Sequence, residues 1–257
     1  KCSYCSPHLS NSWQKEIEKY GPYPTTVPHN SVDYFKQVGM MPIAVKDNNP
    51  DGEAFWKWWP ELYPQLKHFR MTGGEPLMDV NTYRVFDYII ENPKPDLHLA
   101  ITTNLCPDEK LLSKFFSKLD KISECKSLSD MTLYVSCDAY GEKAEYIRHG
   151  MDYNYLFNNA DTFLKNYTLS SGITFSISFI ATINLLSITS LRSFIENTVI
   201  ELRRRHNIYK SWNYRQRVFF DTPILHSPAW QSVQLLPARY REILREDIKY
   251  FKDKVIF

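Results

Sequence analysis

Two cysteines stand at the start of the chain, in Lys1-Cys2-Ser3-Tyr4-Cys5, and a second unusual stretch follows in Phe69-Arg70-Met71-Thr72-Gly73-Gly74-Glu75-Pro76. Thiolates two residues apart on a loop reach one metal centre. A Cys-x2-Cys pair therefore reads as half a zinc site, a redox pair or half an iron–sulfur site. The second stretch ends a strand-like segment in two glycines, a carboxylate and a proline. Glycines let the backbone approach a ligand with no Cβ in the way, while proline stops the strand. The carboxylate of Glu75 suits an ammonium. Taken singly, each motif leaves several chemistries open.

More polar groups fall where strands are expected to end: Thr102-Thr103-Asn104, Ser136-Cys137-Asp138, Asn184 and Leu225-His226. Arg148 lies in a helical stretch, Glu145 to Gly150; a guanidinium forks onto a carboxylate in a way that lysine cannot copy. Asn184 also suits the first turn of a helix with Ser187 as cap. His8 and His226 lie near the expected mouth of the fold, where they read as satisfied structural histidines rather than substrate contacts. Phe55, Trp56, Trp58 and Trp59 crowd one and a half turns, and read as helix core in preference to a substrate-facing wall.

The elements that must hold these groups alternate. Strand-like segments fall near 67–71, 97–103, 131–137, 173–183 and 216–220. Between them lie helical patterns at 81–91, 108–121, 153–166, 188–205 and 237–252, and a short helix is expected over 10–20. Strands alternating with amphipathic helices predict βαβ units and a parallel sheet. Residues 21–50, rich in proline, read as a long functional or covering loop. In such folds function gathers at the C-terminal ends of the strands.

Composition narrows the class. A chain of 257 residues accommodates one large α/β domain with a substantial core, and no second domain is visible. The net charge of +2, with both signs interspersed, leaves no footprint for a nucleic acid. Arg203-Arg204-Arg205-His206 reads as a solvated helix C-terminus favoured by the helix dipole. No apolar stretch approaches the ~20 residues of a membrane span. The five cysteines, Cys2, Cys5, Cys106, Cys125 and Cys137, are an odd count that argues against a disulfide scaffold and for the cytoplasm.

The Cys2-x2-Cys5 pair with Tyr4 between them, beside Gly73-Gly74-Glu75-Pro76, resembles the radical S-adenosylmethionine (SAM) superfamily. Its cluster loop reads Cys-x3-Cys-x-aromatic-Cys, so the resemblance places the first cysteine three residues before Lys1, in a part of the protein not given. The resemblance covers residues 1–230, with 231–257 as a C-terminal helix. It implies a partial (β/α)6 TIM-like barrel whose first strand precedes residue 1. It further implies a [4Fe–4S] cluster on Cys2 and Cys5 that cleaves SAM to a 5′-deoxyadenosyl radical, which abstracts hydrogen from a substrate.

Residue by residue, the resemblance carries Tyr4 to the adenine and Gly73, Gly74 and Glu75 to the methionyl amino group. It brings Thr103 and Asn104 beside the cluster, and Ser136 and Asp138 to the ribose or methionyl carboxylate. Arg148 goes to that carboxylate, Asn184 to the ribose and Leu225 to the adenine. The wording Cys5-Ser-Pro-His8…Ser12-Trp13 is most similar to the branch with SPASM or twitch auxiliary domains. No cysteine follows Cys137, so any auxiliary cluster would take its ligands from upstream of Lys1. That branch implies a peptide or protein side chain as substrate and an electron donor such as flavodoxin or ferredoxin. Two rivals stand beside it. One is a zinc-binding structural module with Cys2 and Cys5 as half a tetrahedral site; the other is a metal-free phosphate-binding α/β enzyme.

Overall fold

The computed structural model describes residues 2–42, 49–167, 172–210 and 213–253. Lys1, part of the expected 21–50 loop (43–48) and the last four residues lie outside them. The chain begins with α1 (Asn11–Tyr20), α2 (Val32–Gln37) and α3 (Pro50–Leu62). Then the alternation sets in: β1 (His68–Met71), α4 (Val80–Glu91), β2 (His98–Thr103), α5 (Glu109–Glu124) and β3 (Asp130–Ser136). It continues through α6 (Glu142–Ile147), α7 (Tyr153–Asn166) and β4 (Thr174–Ile180). A run of α8 (Leu191–Phe194), a π-helical turn (Ile195–Ile200) and α9 (Glu201–His206) follows. Last come an antiparallel pair, β5 (Ile208–Lys210) and β6 (Asn213–Arg215), then β7 (Val218–Asp221) and α10 (Arg239–Asp253).

Side-chain caps explain where the helices start. Asp79, Asp108 and Asp152 accept from the backbone N–H groups of Asn81, Leu111 and Tyr155 at 2.8, 2.9 and 2.8 Å. Each satisfies a donor that the first turn leaves orphaned. Three features escape the sequence pattern, one of them the antiparallel β5–β6 pair. The loop expected over 21–50 contains α2, capped by Ser31, and the single helix expected over 188–205 is broken by the π-turn.

β1, β2, β3, β4 and β7 form one sheet in that order, every neighbour parallel. Strand order follows chain order, so right-handed crossovers stack the connecting helices on one face. That face is dry: Leu99, Ile101, Met131, Leu133, Val135, Phe175, Ile177 and Phe179 are buried against helices contributing Phe86, Ile89, Phe115, Leu119, Leu156 and Phe163. The opposite face carries His98, Thr102, Asp130, Thr132, Tyr134, Ser136, Ser176 and Ser178, with β2 and β3 alternating strictly between half-buried and buried residues. Of the α3 aromatics expected in the core, Trp59 is 1% exposed and ringed by Phe55, Trp56, Tyr63, Phe69 and Tyr88, and Phe55 and Trp56 are half-buried against it, whereas Trp58 is 54% exposed and lies on the surface face of the helix. The protein is therefore α/β with an all-parallel five-stranded sheet.

Candidate functional site

The Cys2–Cys5 loop is a tight turn, closed by a hydrogen bond from the Cys5 N–H to the Cys2 carbonyl at 3.2 Å. It is fastened to elements far away in sequence. The Ser3 N–H donates to the Ile147 carbonyl at 2.8 Å, and the Trp13 indole N–H donates to the Cys2 carbonyl at 2.7 Å. Gln231 grips Ser3 twice, accepting from its hydroxyl and donating to its carbonyl, both at 3.1 Å. Nothing in the chemistry of Trp13 or Gln231 singles them out in the sequence, although Trp13 belongs to the quoted Ser12-Trp13 run.

Behind the loop stands a buried ion pair. Asp138 follows the end of β3 and its side chain is fully buried, while that of Arg148, after α6, is 12% exposed. The guanidinium clamps the carboxylate through Nε at 2.8 Å and Nη2 at 3.0 Å. The Tyr4 hydroxyl at 2.9 Å and the Thr182 N–H at 2.9 Å complete the four acceptor positions of Asp138. Arg148 also donates to the Tyr4 oxygen at 2.7 Å and, through Nη1, to the Cys2 sulfur at 3.2 Å. Four of its five N–H groups are thereby engaged. The structure thus brings Cys2, Tyr4, Asp138 and Arg148 into one network.

The electrostatics follow from that geometry. The Cys5 thiol bonded to the Cys2 sulfur, together with the nearby Arg148 charge, outweighs burial and lowers the Cys2 thiol to about 6. Cys5 is pushed up, first because its proton serves the Cys2 sulfur and then by burial. Burial also raises the Tyr4 phenol and opposes the charge of Arg148, which the Asp138 carboxylate nevertheless holds firmly protonated. These contacts favour the thiolate form of Cys2, the form that acts as nucleophile or metal ligand.

The second half of the site lies at the ends of β1 and β2. Glu75 accepts from the Thr103 hydroxyl at 2.6 Å, the Asn104 N–H at 2.8 Å and the Leu77 N–H at 3.2 Å. Burial raises its carboxyl above the ordinary value against these bonds. One acceptor position remains for an ammonium. Gly73 sits at φ +135°, in the region that favours glycine, and a Cβ at Gly73 or Gly74 would meet nothing within 4 Å. The backbone there borders open space.

The other residues picked out by the sequence are placed as follows. Asn104 accepts from the Cys106 N–H at 2.8 Å, and Ser136 closes β3 on the polar face. Asn184 is fully buried and spends its side chain within its own loop, on Thr182, Leu186 and Ser187. Leu225, 8% exposed, is held against the backbone of Ile183 beyond the ends of β4 and β7. Among the remaining cysteines, Cys106 reaches the Asp152 carbonyl, Cys137 is buried and Cys125 is exposed on the far end of α5. His8 packs on Phe35 with the rings tilted by 41° and bonds Ser6, whereas His226 is exposed.

The donor set admits a direct fit test. Among the described residues no group of three or more His, Cys, Asp or Glu is arranged to hold a metal ion. Cys2 and Cys5 fit as two thiolate ligands on one turn, and a cluster or zinc ion would need ligands beyond these two. No helix among the described residues is long and apolar enough to cross a membrane. No protein-family model matches the chain, and no curated protein matches it.

Proposed function

We propose that this chain is the core of a radical SAM enzyme, with Cys2 and Cys5 as two of the three thiolates of a [4Fe–4S] cluster and SAM lying across the strand ends. One observation carries the reading. The cysteine turn and the Gly-Gly-Glu-Pro segment, some seventy residues apart, meet the same C-terminal edge of one parallel sheet, the first through Asp138 just after β3 and the second through Thr103 at the end of β2. A sixth strand upstream of the given sequence would extend the sheet to a partial (β/α)6 barrel.

When bound, the cluster and SAM supply one-electron cleavage of a C–S bond and hydrogen abstraction from a substrate. The chain's own part is binding and orientation. Arg148, after the hydrogen bond from Cys5, favours the thiolate of Cys2, and its one uncommitted N–H suits a ligand carboxylate. Glu75 offers its open acceptor position to the methionyl ammonium, with Gly73 and Gly74 clearing the approach. A peptide or protein side chain is the substrate class proposed, and a flavodoxin or ferredoxin the electron donor.

The test is metal analysis of the full-length protein after anaerobic reconstitution. Iron and sulfide at cluster stoichiometry are expected, lost in Cys2→Ala and Cys5→Ala but kept in Cys125→Ala. Stoichiometric zinc without iron would transfer the cysteines to a structural site.

A further inference from the structure

The sheet face away from the helices holds charged groups that the proposed cofactor site does not use. A cleft of about 280 Å³ opens there, lined by His68, Arg70, His98, Asp130, Thr132 and Tyr134 among others. Arg70 is its fixed cation. Its Nε and Nη2 both donate to the Thr102 hydroxyl, at 3.2 and 3.0 Å, and its guanidinium lies over the Tyr134 ring with 4.1 Å to the centroid. Nη1 takes no part in those contacts, and one of its N–H groups with the second N–H of Nη2 forms a free parallel fork suited to an oxyanion.

The neighbours favour an anion as well. His68 stacks on His98 with the rings 4.5 Å apart, and His98 Nδ1 is bonded to the Asp130 carboxylate. That bond fixes the ring and occupies Asp130, the one acid lining the cleft. Exposed arginines usually sample many rotamers; here packing and hydrogen bonds have already restricted one.

We infer that this cleft binds the oxyanion, carboxylate or phosphate, of the molecule on which the protein acts, with Arg70 as its anchor. The inference rests on the radical SAM reading for the word substrate, but the binding site itself does not. Arg70 is three residues before Gly73, about 10 Å along an extended strand. A ligand held at Arg70 therefore needs an extended skeleton of roughly eight bonds to reach the strand ends. Recognition of one end would leave the other at the cofactor edge.

The experiment is calorimetric titration of the protein, without SAM, with inorganic phosphate and with glutarate, beside Arg70→Ala, Arg70→Lys and Thr102→Val. Circular dichroism confirms that each variant is folded. Losing a charge-assisted fork should weaken binding about 10- to 100-fold in Arg70→Ala. Arg70→Lys should recover part of that, and Thr102→Val should lose a few-fold through a freed guanidinium. Phosphate binding that depends on Arg70 supports a phosphate ester, and glutarate binding that depends on it supports a carboxylate. Binding of neither anion, or binding that survives Arg70→Ala, overturns the inference. Iron content, measured separately, decides the cofactor reading independently.

Discussion

Replacing Asp138 by Asn tests the buried network most directly. The carboxylate has no exposed surface and receives four hydrogen bonds, two of them from Arg148. Asn keeps one oxygen for two or three of these donors and turns an NH2 group toward the rest. More importantly, it removes the only carboxylate bonded to the Arg148 guanidinium among the described residues. Breaking a buried pair on one side costs about 3–5 kcal/mol, because an uncompensated charge stays behind. For a domain of this size that lowers the melting temperature by roughly 6–20 °C. Arg148→Met should cost a similar amount, since it orphans a buried carboxylate. The double variant should be clearly more stable than the two single losses added together, as the surviving charge is gone. Thermal and urea unfolding, followed by circular dichroism, measures all three. Melting of Asp138→Asn within about 2 °C of the parent, or strictly additive losses, would refute the argument.

Cys2 of the metal-free chain should alkylate with iodoacetamide along a pH profile whose midpoint is near 6, since deprotonation proceeds as pH rises through that value. Cys5→Ala and Arg148→Met should each shift the midpoint upward, and Cys106 and Cys137, raised to about 11 and about 12 by burial, should resist at neutral pH; peptide mass spectrometry reads each site, and a Cys2 midpoint at the ordinary thiol value would count against the network. Arg217 is 2% exposed and donates to the carbonyls of Phe175, Leu164 and Tyr167, so Arg217→Met should orphan three acceptors and destabilise by about 3 kcal/mol or more in urea unfolding, whereas an unchanged midpoint would mean those carbonyls find other donors.

Much of this arrangement is legible in the chain alone. The strands and most helices follow from periodicity, because a strand that buries one face alternates and a helix that buries a stripe repeats every 3.6 residues. The five strand positions and the helix over 153–166 can be read that way. So can the strand-end placement of Glu75, Thr103 and Asp138, since parallel sheets gather their loops at one edge. Local rules cannot reveal α2 or the π-turn. The first is a single capped turn and a half within a proline-rich stretch, and the second depends on packing against Tyr153 and its neighbours.

What only the tertiary structure decided is who holds whom. In sequence, Arg148 is a lone cation in a helical stretch and Asp138 a carboxylate at a strand end. Folding buries both and makes each the other's partner, and in doing so it commits four of the five N–H groups of Arg148 to Asp138, Tyr4 and Cys2. Asn184 likewise shows a strand-end amide in sequence, but in the fold every bond it makes closes its own loop. Arg70 reads as an ordinary strand residue until β2 and β3 bring Thr102 and Tyr134 beside it. Residue type and spacing announce which groups are capable of chemistry. Long-range contacts, which carry no signature along the chain, determine which of those groups are already satisfied and which still face a ligand.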